Sequence, residues 1–472
     1  LQMNLDVNSE WRADGWPVVT EFGLSGDPPT FGSLARDGTR QVVASTDSLI
    51  VAWMSNGEPF YPANANGLFA AVPAPILPPV LVADSLFRSN PLSSHGAAVV
   101  ATAADGNVYA FRANVRDSTA GIPLVGWPPT LGANITATTP PVLGPAGDVL
   151  VGASDGSVFS IVGSDSVDFT PLVAAIADTL HIGPTAVVVP VAGNLAVGRF
   201  RGPPGSWMVA YGLSNGVVRL VSPAGKDPQV TDLHWNIGGS NFNPYVMGAD
   251  LDRDGEMEVI VLDRGQSEVH ALDLSGGELP GWPVATTARL QGALAAGDLD
   301  QDGYPEVFAV DDQGFVHRWN RNGVEPKGWP VSLAARFGPT AVGGAGAPLL
   351  GDVDGDGAPE LIVAAQSGLL VALDRDGTTV TGWPVASQPG ASITPLLLSL
   401  NDTVNPPDPP GSPWEHLIVP GGDGIWNGYQ IGVHADSAYA TRDGVSPRFP
   451  WTGYAGDRRH SSVLSETVLV PV

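Results

Sequence analysis

Asp250-Leu251-Asp252-Arg253-Asp254-Gly255-Glu256-Met257-Glu258 runs straight into Val259-Ile260-Val261. It puts carboxylates at positions 1, 3, 5 and 9 and a glycine at position 6, just before a β-branched run. The pattern returns as Asp298-Leu299-Asp300-Gln301-Asp302-Gly303-Tyr304-Pro305-Glu306 before Val307-Phe308-Ala309. It returns again as Asp352-Val353-Asp354-Gly355-Asp356-Gly357-Ala358-Pro359-Glu360 before Leu361-Ile362-Val363. Three copies in register make this a repeat protein with a cation loop in the repeat.

Calcium takes six to eight oxygen ligands in a flexible shell, and short loops supply them from alternate positions. Gly at position 6 lets the backbone turn sharply. A carbonyl at position 7 and the acid at position 9 complete the set. The loop is shorter than an EF-hand loop and leads into a strand, which excludes an EF-hand. A single copy would read as an ordinary Asp-Gly hairpin turn. Three copies, each with four acids within nine residues, repel themselves unless a cation is bound. Magnesium demands tighter geometry and gives up its waters reluctantly, so calcium is the expected ion.

Gly-Trp-Pro recurs alongside the loop, at Gly15-Trp16-Pro17, Gly126-Trp127-Pro128, Gly281-Trp282-Pro283, Gly328-Trp329-Pro330 and Gly382-Trp383-Pro384. Weaker echoes are Phe60-Tyr61-Pro62 and Phe449-Pro450-Trp451. An alternating strand also recurs, as in Asn107-Val108-Tyr109-Ala110-Phe111, Glu268-Val269-His270-Ala271-Leu272 and Phe315-Val316-His317-Arg318-Trp319. Alternation of this kind predicts half-buried antiparallel strands. Asp105-Gly106 and Asp155-Gly156 predict the tight turns before them. No segment carries sustained helical periodicity, and the Ala-rich piece near 170–180 reads as loop or strand.

These marks predict an all-β fold, a β-propeller of four-stranded antiparallel blades. The count is eight, with seven as the alternative. The expected blades are 17–60, 61–127, 128–170, 171–235, 236–282, 283–329, 330–383 and 384–450, after an N-terminal arm at 1–16 and before a tail or linker at 451–472. In the first blade Ser33-Leu34-Ala35-Arg36-Asp37-Gly38-Thr39-Arg40-Gln41 keeps the turn but loses the other acids. In the last, a Pro-rich insertion at 400–413 replaces the loop. Neither is expected to bind metal.

Lys and Arg number 22 against 48 Asp and Glu, a formal charge of −26. Such a surface argues against nucleic-acid partners, whose phosphates need neutralising. The absence of cysteine excludes disulfides, zinc-thiolate sites and thiol catalysis. No run of about eighteen apolar residues marks a membrane span. The chain begins at Leu1 without a leader and reads as a processed or excised portion of a longer precursor.

The three Asp-x-Asp-x-Asp-Gly-x-x-Glu loops, each opening a strand within a repeat of about fifty residues, resemble FG-GAP repeats. These are the calcium-loop propeller repeats of integrin α chains and many bacterial surface proteins. Gly346-Ala347-Pro348 before Asp352 matches the family's name, although Asn243-Pro244 and Gly292-Ala293 stand there in the neighbouring repeats. The resemblance is close from 236 to 383 and looser elsewhere. It implies about three Ca²⁺. The ligand sets would be Asp250, Asp252, Asp254 and Glu258; Asp298, Asp300, Asp302 and Glu306; and Asp352, Asp354, Asp356 and Glu360. Position 9 is Glu here, where the integrin-type loop usually has Asp.

Nothing in the sequence marks a catalytic site. His270 and His317 hold one equivalent position that Tyr109, Phe159, Arg219 and Val371 fill in other repeats, which reads as a strand surface. No Gly-x-Ser-x-Gly elbow, His-Glu-x-x-His or phosphate loop is present. The repeated tryptophans read as packing between blades more than as sugar platforms.

The expected function is that of a non-enzymatic, calcium-stabilised extracellular propeller. It would serve as a binding, adhesion or assembly module of a bacterial surface or secreted protein. Its expected partners are a protein or carbohydrate ligand at the cell surface and other surface subunits. The rival reading is a secreted polysaccharide-active enzyme of lyase type, or its accessory carbohydrate-binding domain.

Overall fold

The Val- and Ile-rich runs form strands that pair antiparallel in groups of four. The structure, a computed structural model, describes 18–19, 28–34, 41–83 except 55, 97–113, 120–162 except 146, 172–177, 188–201, 207–222 and 233–238. It also describes 242–386 except 291, 344–345 and 355, together with 395–399, 414–420 and 425–432.

The described residues contain eight four-stranded sheets. Seven are built from consecutive strands, at 30–71, 76–123, 142–177, 191–236, 244–285, 295–332 and 349–386. The eighth draws on both ends of the chain. Leu396–Ser399, Trp414–Pro420 and Ile425–Gly432 pair in order, and Val18–Val19 adds along the last, with Val18 opposite Trp426. The fold is a β-propeller, and the first and last parts of the chain share one sheet.

The second and third strands of the seven sheets built from consecutive strands are buried on both faces, not half-buried as their alternation predicts. Glu258–Asp263 shows why. Ile260 and Leu262 belong to a core shared with Ala295, Ala296 and Phe308 of the sixth sheet. Val259 and Val261, pointing the other way, join Ala196, Ala210 and Leu220 of the fourth. Successive side chains leave a strand on opposite sides, and here each side meets a neighbouring sheet. Each fully buried Val, Leu or Ile contributes roughly 1.5–3 kcal/mol.

The Gly-Trp-Pro marker falls inside the sheets and not at their boundaries, so the divisions differ from the expected ones. In three sheets it immediately precedes the short fourth strand: Val284–Ala285, Val331–Ser332 or Val385–Ala386. The indole N–H of Trp282 donates to Arg321 O at 3.0 Å, and that of Trp329 to Arg375 O at 3.1 Å. Each acceptor lies in the turn after the third strand of the following sheet. The glycine permits that approach: a Cβ on Gly281, at φ 92°, would lie 1.9 Å from Asn322 O. Trp282 and Trp329 are each 7 % exposed, so they are braces between sheets and present no open face to a sugar ring.

The Ala-rich piece contributes a strand, Leu172–Ala177. One helical turn, Leu333–Phe337, follows Ser332, whose side chain accepts from Ala335 N. Five residues are too few to show helical periodicity in a sequence. Among the described residues no helix is long and apolar enough to cross a membrane. Gly15-Trp16-Pro17, the insertion at 400–413 and the tail at 451–472 lie outside the described residues.

Candidate metal centre

The three acidic loops each join the first strand of a sheet to the second. Pro244–Ala249 leads to Glu258–Asp263, Ala295–Gly297 to Glu306–Val310, and Leu349–Gly351 to Glu360–Ala364. Pairing sets Glu258 opposite Ala249, Glu306 opposite Gly297 and Glu360 opposite Gly351. The acid at position 9 is therefore held by the sheet, while those at 1, 3 and 5 ride on the loop.

The loops fold around their own carboxylates, identically in all three. Position 1 accepts from the glycine at 6, with Gly255 N to Asp250 at 3.1 Å, Gly303 N to Asp298 at 2.9 Å and Gly357 N to Asp352 at 3.1 Å. Position 3 accepts from the amide of 5, and position 5 from the amide of 7. Position 9 accepts from the amide of 2: Leu251 N to Glu258 at 2.7 Å, Leu299 N to Glu306 at 2.9 Å and Val353 N to Glu360 at 2.7 Å. The glycines at position 6 lie at φ 89°, 93° and 92°. Arg253 and Gln301, at position 4, also take positive φ, 61° and 58°.

Charge accumulates in these loops. Burial pushes Glu258, Glu306 and Glu360 up to about 8, and the neighbouring aspartates add to the rise. Burial also raises Asp250 and Asp298, against the hydrogen bonds they accept from loop amides, first those of Gly255 and Gly303. Asp250 Oδ1 and Asp298 Oδ1 are shielded from water and meet no donor.

The donors fit calcium. Every one is oxygen, and one oxygen from each of Asp250, Asp252 and Asp254 lies within 4.8 Å of the others. The same holds for Asp352, Asp354 and Asp356, and for Asp298, Asp300, Asp302 and Glu306. Oxygens bound to one calcium at 2.3–2.6 Å stand at most about 5 Å apart. Glu258 and Glu360 stand outside the tight groups and Glu306 within its own. A bound ion would supply positive charge to the first and third loops, where Glu258 and Glu360 pair with no Lys or Arg among the described residues.

The second loop has an addition that the sequence reading missed. Arg318, in Phe315–Trp319, donates through Nη2 to Asp300 Oδ2 and, at 2.7 Å, to Glu306 Oε1. Its Nη1 reaches Arg375 O at 2.6 Å. Burial and Arg318 act on Glu306 in opposite senses; with two carboxylates on one guanidinium nitrogen, the charged pair is the state the geometry describes. The only sequence signal was a cation in an otherwise uncharged slot, since Ala271 and Ala372 are its equivalents.

The loops also touch in series. Arg253 lies over the Tyr304 ring at 6.0 Å, and Gln301 Nε2 donates to Gly357 O at 3.1 Å. Position 4 of one loop thus reaches the next.

The first sheet shows what remains when the acids are lost. Gln41 stands at position 9, and its Oε1 still accepts from Leu34 N at 2.7 Å. The hydrogen bond belongs to the fold; the charge does not.

His270 and His317 are not surface residues, being 4 % and 8 % exposed. His270 Nδ1 meets Glu278 at 2.9 Å and His317 Nδ1 meets Glu325 at 2.7 Å. His317 also stacks on Trp319 at 5.1 Å. Each histidine is locked to a carboxylate eight residues on, a repeated packing device.

The FG-GAP-like repeat family matches residues 250–309 and 298–363, the segment that carries the loops. No curated protein matches the chain. Among solved structures the chain is similar to the Dos1 propeller, with TM-score 0.51 and 11% identity over 89% of this chain and 96% of that one. It is also similar to BamB from Moraxella catarrhalis, with TM-score 0.47 and 12% identity over 89% of this chain and 100% of that one. At such identity the Dos1 likeness speaks to the fold alone. Sheet order makes the chain a β-propeller, and within it residues 250–363 match FG-GAP-like repeats.

Proposed function

We propose that this propeller is a calcium-stabilised binding or assembly module of an extracellular, bacterial surface or secreted protein, without catalytic activity of its own. The observation that carries the reading is the identical hydrogen-bonding of the three acidic loops around their carboxylates, which gathers the charge of four acids at each. Arg318 serves the second loop, whereas Glu258 and Glu360 of the other two have no cationic partner among the described residues. Calcium would neutralise that charge and tie the loop to the strand that begins at position 9. Millimolar calcium, as found outside cells, fills even weak sites of this kind, which motivates the location. A fold of this class hosts many activities, so the function is argued from the loops and not from the propeller.

Calcium titration with thermal melting, before and after chelation, tests the calcium reading. Saturable binding and a rise in Tm support it. No binding and an unchanged Tm would remove it. A screen for binding and turnover on acidic polysaccharides tests the non-enzymatic part, which turnover would overturn.

A further inference from the structure

We propose that Arg318 is the resident counter-cation of the second acidic loop, so that calcium fills the first and third loops before the second. The proposal rests on the calcium reading and concerns how the three loops divide the ion.

The slot that Arg318 occupies is defined by register. Arg318 pairs with Phe308, two residues beyond Glu306, which places it diagonally beside the position-9 carboxylate. The corresponding residues are Ala271, opposite Ile260, and Ala372, opposite Ile362. In the third sheet the slot holds Ser160, opposite Leu150, and its hydroxyl donates to Asp148, the acid that precedes the strand. In the first sheet it holds Ala52, opposite Val43, beside the neutral Gln41. In three of these five sheets the slot answers the residue at position 9. An acid meets Arg or Ser, and an amide meets Ala. The exceptions are Glu258 and Glu360, two buried acids that face alanine. Among the described residues no Lys or Arg pairs with either, so a bound cation is the counter-charge the proposal assigns them.

The second loop has its charge already. Arg318 is 3 % exposed, and a buried guanidinium is retained where it is paired and hydrogen-bonded. It shares Nη2 between Asp300 and Glu306, and this explains why Glu306 alone of the three position-9 acids joins its aspartates in a tight group. An ion entering there would meet a like charge, and two of the four carboxylates are committed. Displacing the arginine would strand it, because its other arm is held by Arg375 O. Asp298 Oδ1 still lacks a donor, so the loop keeps a residual site and fills last. The nearby positive charge weakens it by about tenfold or more.

The test is calorimetric titration of the full chain with calcium chloride. The expected isotherm has about two equivalents filling first and a third at higher concentration. Arg318→Ala, which installs the neighbours' residue, should merge the third with the other two. If that variant fails to fold, Asp298→Asn and Asp250→Asn in the otherwise unchanged chain serve instead. Asp250→Asn should remove one of the early equivalents, and Asp298→Asn should leave both. Three equivalents of one affinity would overturn the proposal, as would a folded Arg318→Ala with an unchanged isotherm. Zero equivalents would defeat the calcium reading itself and the proposal with it, an outcome distinct from three.

Discussion

The indole N–H of Trp329 and the guanidinium of Arg318 converge on one acceptor, the Arg375 carbonyl oxygen, at 3.1 and 2.6 Å. The two donors come from one sheet and the acceptor from a turn of the next. A brace that looks purely structural and an arginine that serves an acidic loop are therefore coupled through a single atom.

Trp329→Phe keeps most of the ring and loses one hydrogen bond, so it should cost about 1 kcal/mol. The carbonyl would still be satisfied by Arg318. Combined with Arg318→Ala, the cost should exceed the sum of the single variants, because only the double variant strips both donors from Arg375 O. Urea denaturation of the four proteins measures the coupling. Strict additivity would show that the shared acceptor is energetically irrelevant.

Gly281 and Gly276 separate crowding from backbone strain. Both take positive φ, 92° and 102°, but only Gly281 has a neighbour that a Cβ would strike, Asn322 O at 1.9 Å. Gly276→Ala should cost roughly 1–2 kcal/mol for the left-handed backbone alone. Gly281→Ala should cost distinctly more, because the next sheet must move. Equal losses in denaturant would mean that the sheets yield freely at this contact.

Glu258→Gln and Glu360→Gln copy what the first sheet already does with Gln41. The amide oxygen can still accept from Leu251 N or Val353 N, while the buried charge is gone. Each variant should raise the Tm of the chelated protein and shrink the gain on adding calcium. A fall in the chelated Tm would show that the carboxylate has partners other than the ion.

The same glutamates set a pH dependence. In the metal-free chain Glu258 and Glu360 are pushed from 4.5 up to about 8 by burial. A carboxyl raised on folding favours the folded state while protonated. That contribution is complete below the unfolded value and is lost as pH rises through about 8. The chelated protein should therefore melt progressively lower between about pH 5 and pH 8.5. Calcium binds the carboxylates in their deprotonated form, so saturating calcium should flatten or reverse the trend. Melting curves in chelator and in calcium across that range measure both slopes.

Removing the ion should not unfold the propeller. The cores between sheets are apolar and extend well beyond the loops, so chelation should lower the Tm and leave the far-UV circular dichroism of the strands in place. Asp252→Ala or Asp354→Ala should each reduce the calcium-dependent rise in part. A full loss of strand signal on chelation would mean that the loops nucleate the fold.

Much of this was legible along the chain because it is local. An acidic loop keeps its donors and acceptors within nine residues, so Asp250 to Glu258 could be read as one unit. The alternating strands and the Gly-Trp-Pro marker likewise repeat at short range, and they determined the class of fold. What only the tertiary structure decided depends on contacts between distant residues. Val18 closes a sheet with Trp426, and no local pattern ties the two. Alternation predicted one wet face for strands such as Glu258–Asp263; stacking the sheets covered both, and His270 and His317 were buried with them. Arg318 looked like one more variant of a strand position until pairing placed it diagonally beside Glu306, twelve residues away. Sequence spacing reports what one turn or strand can do for itself, whereas a buried charge finds its partner by register and packing.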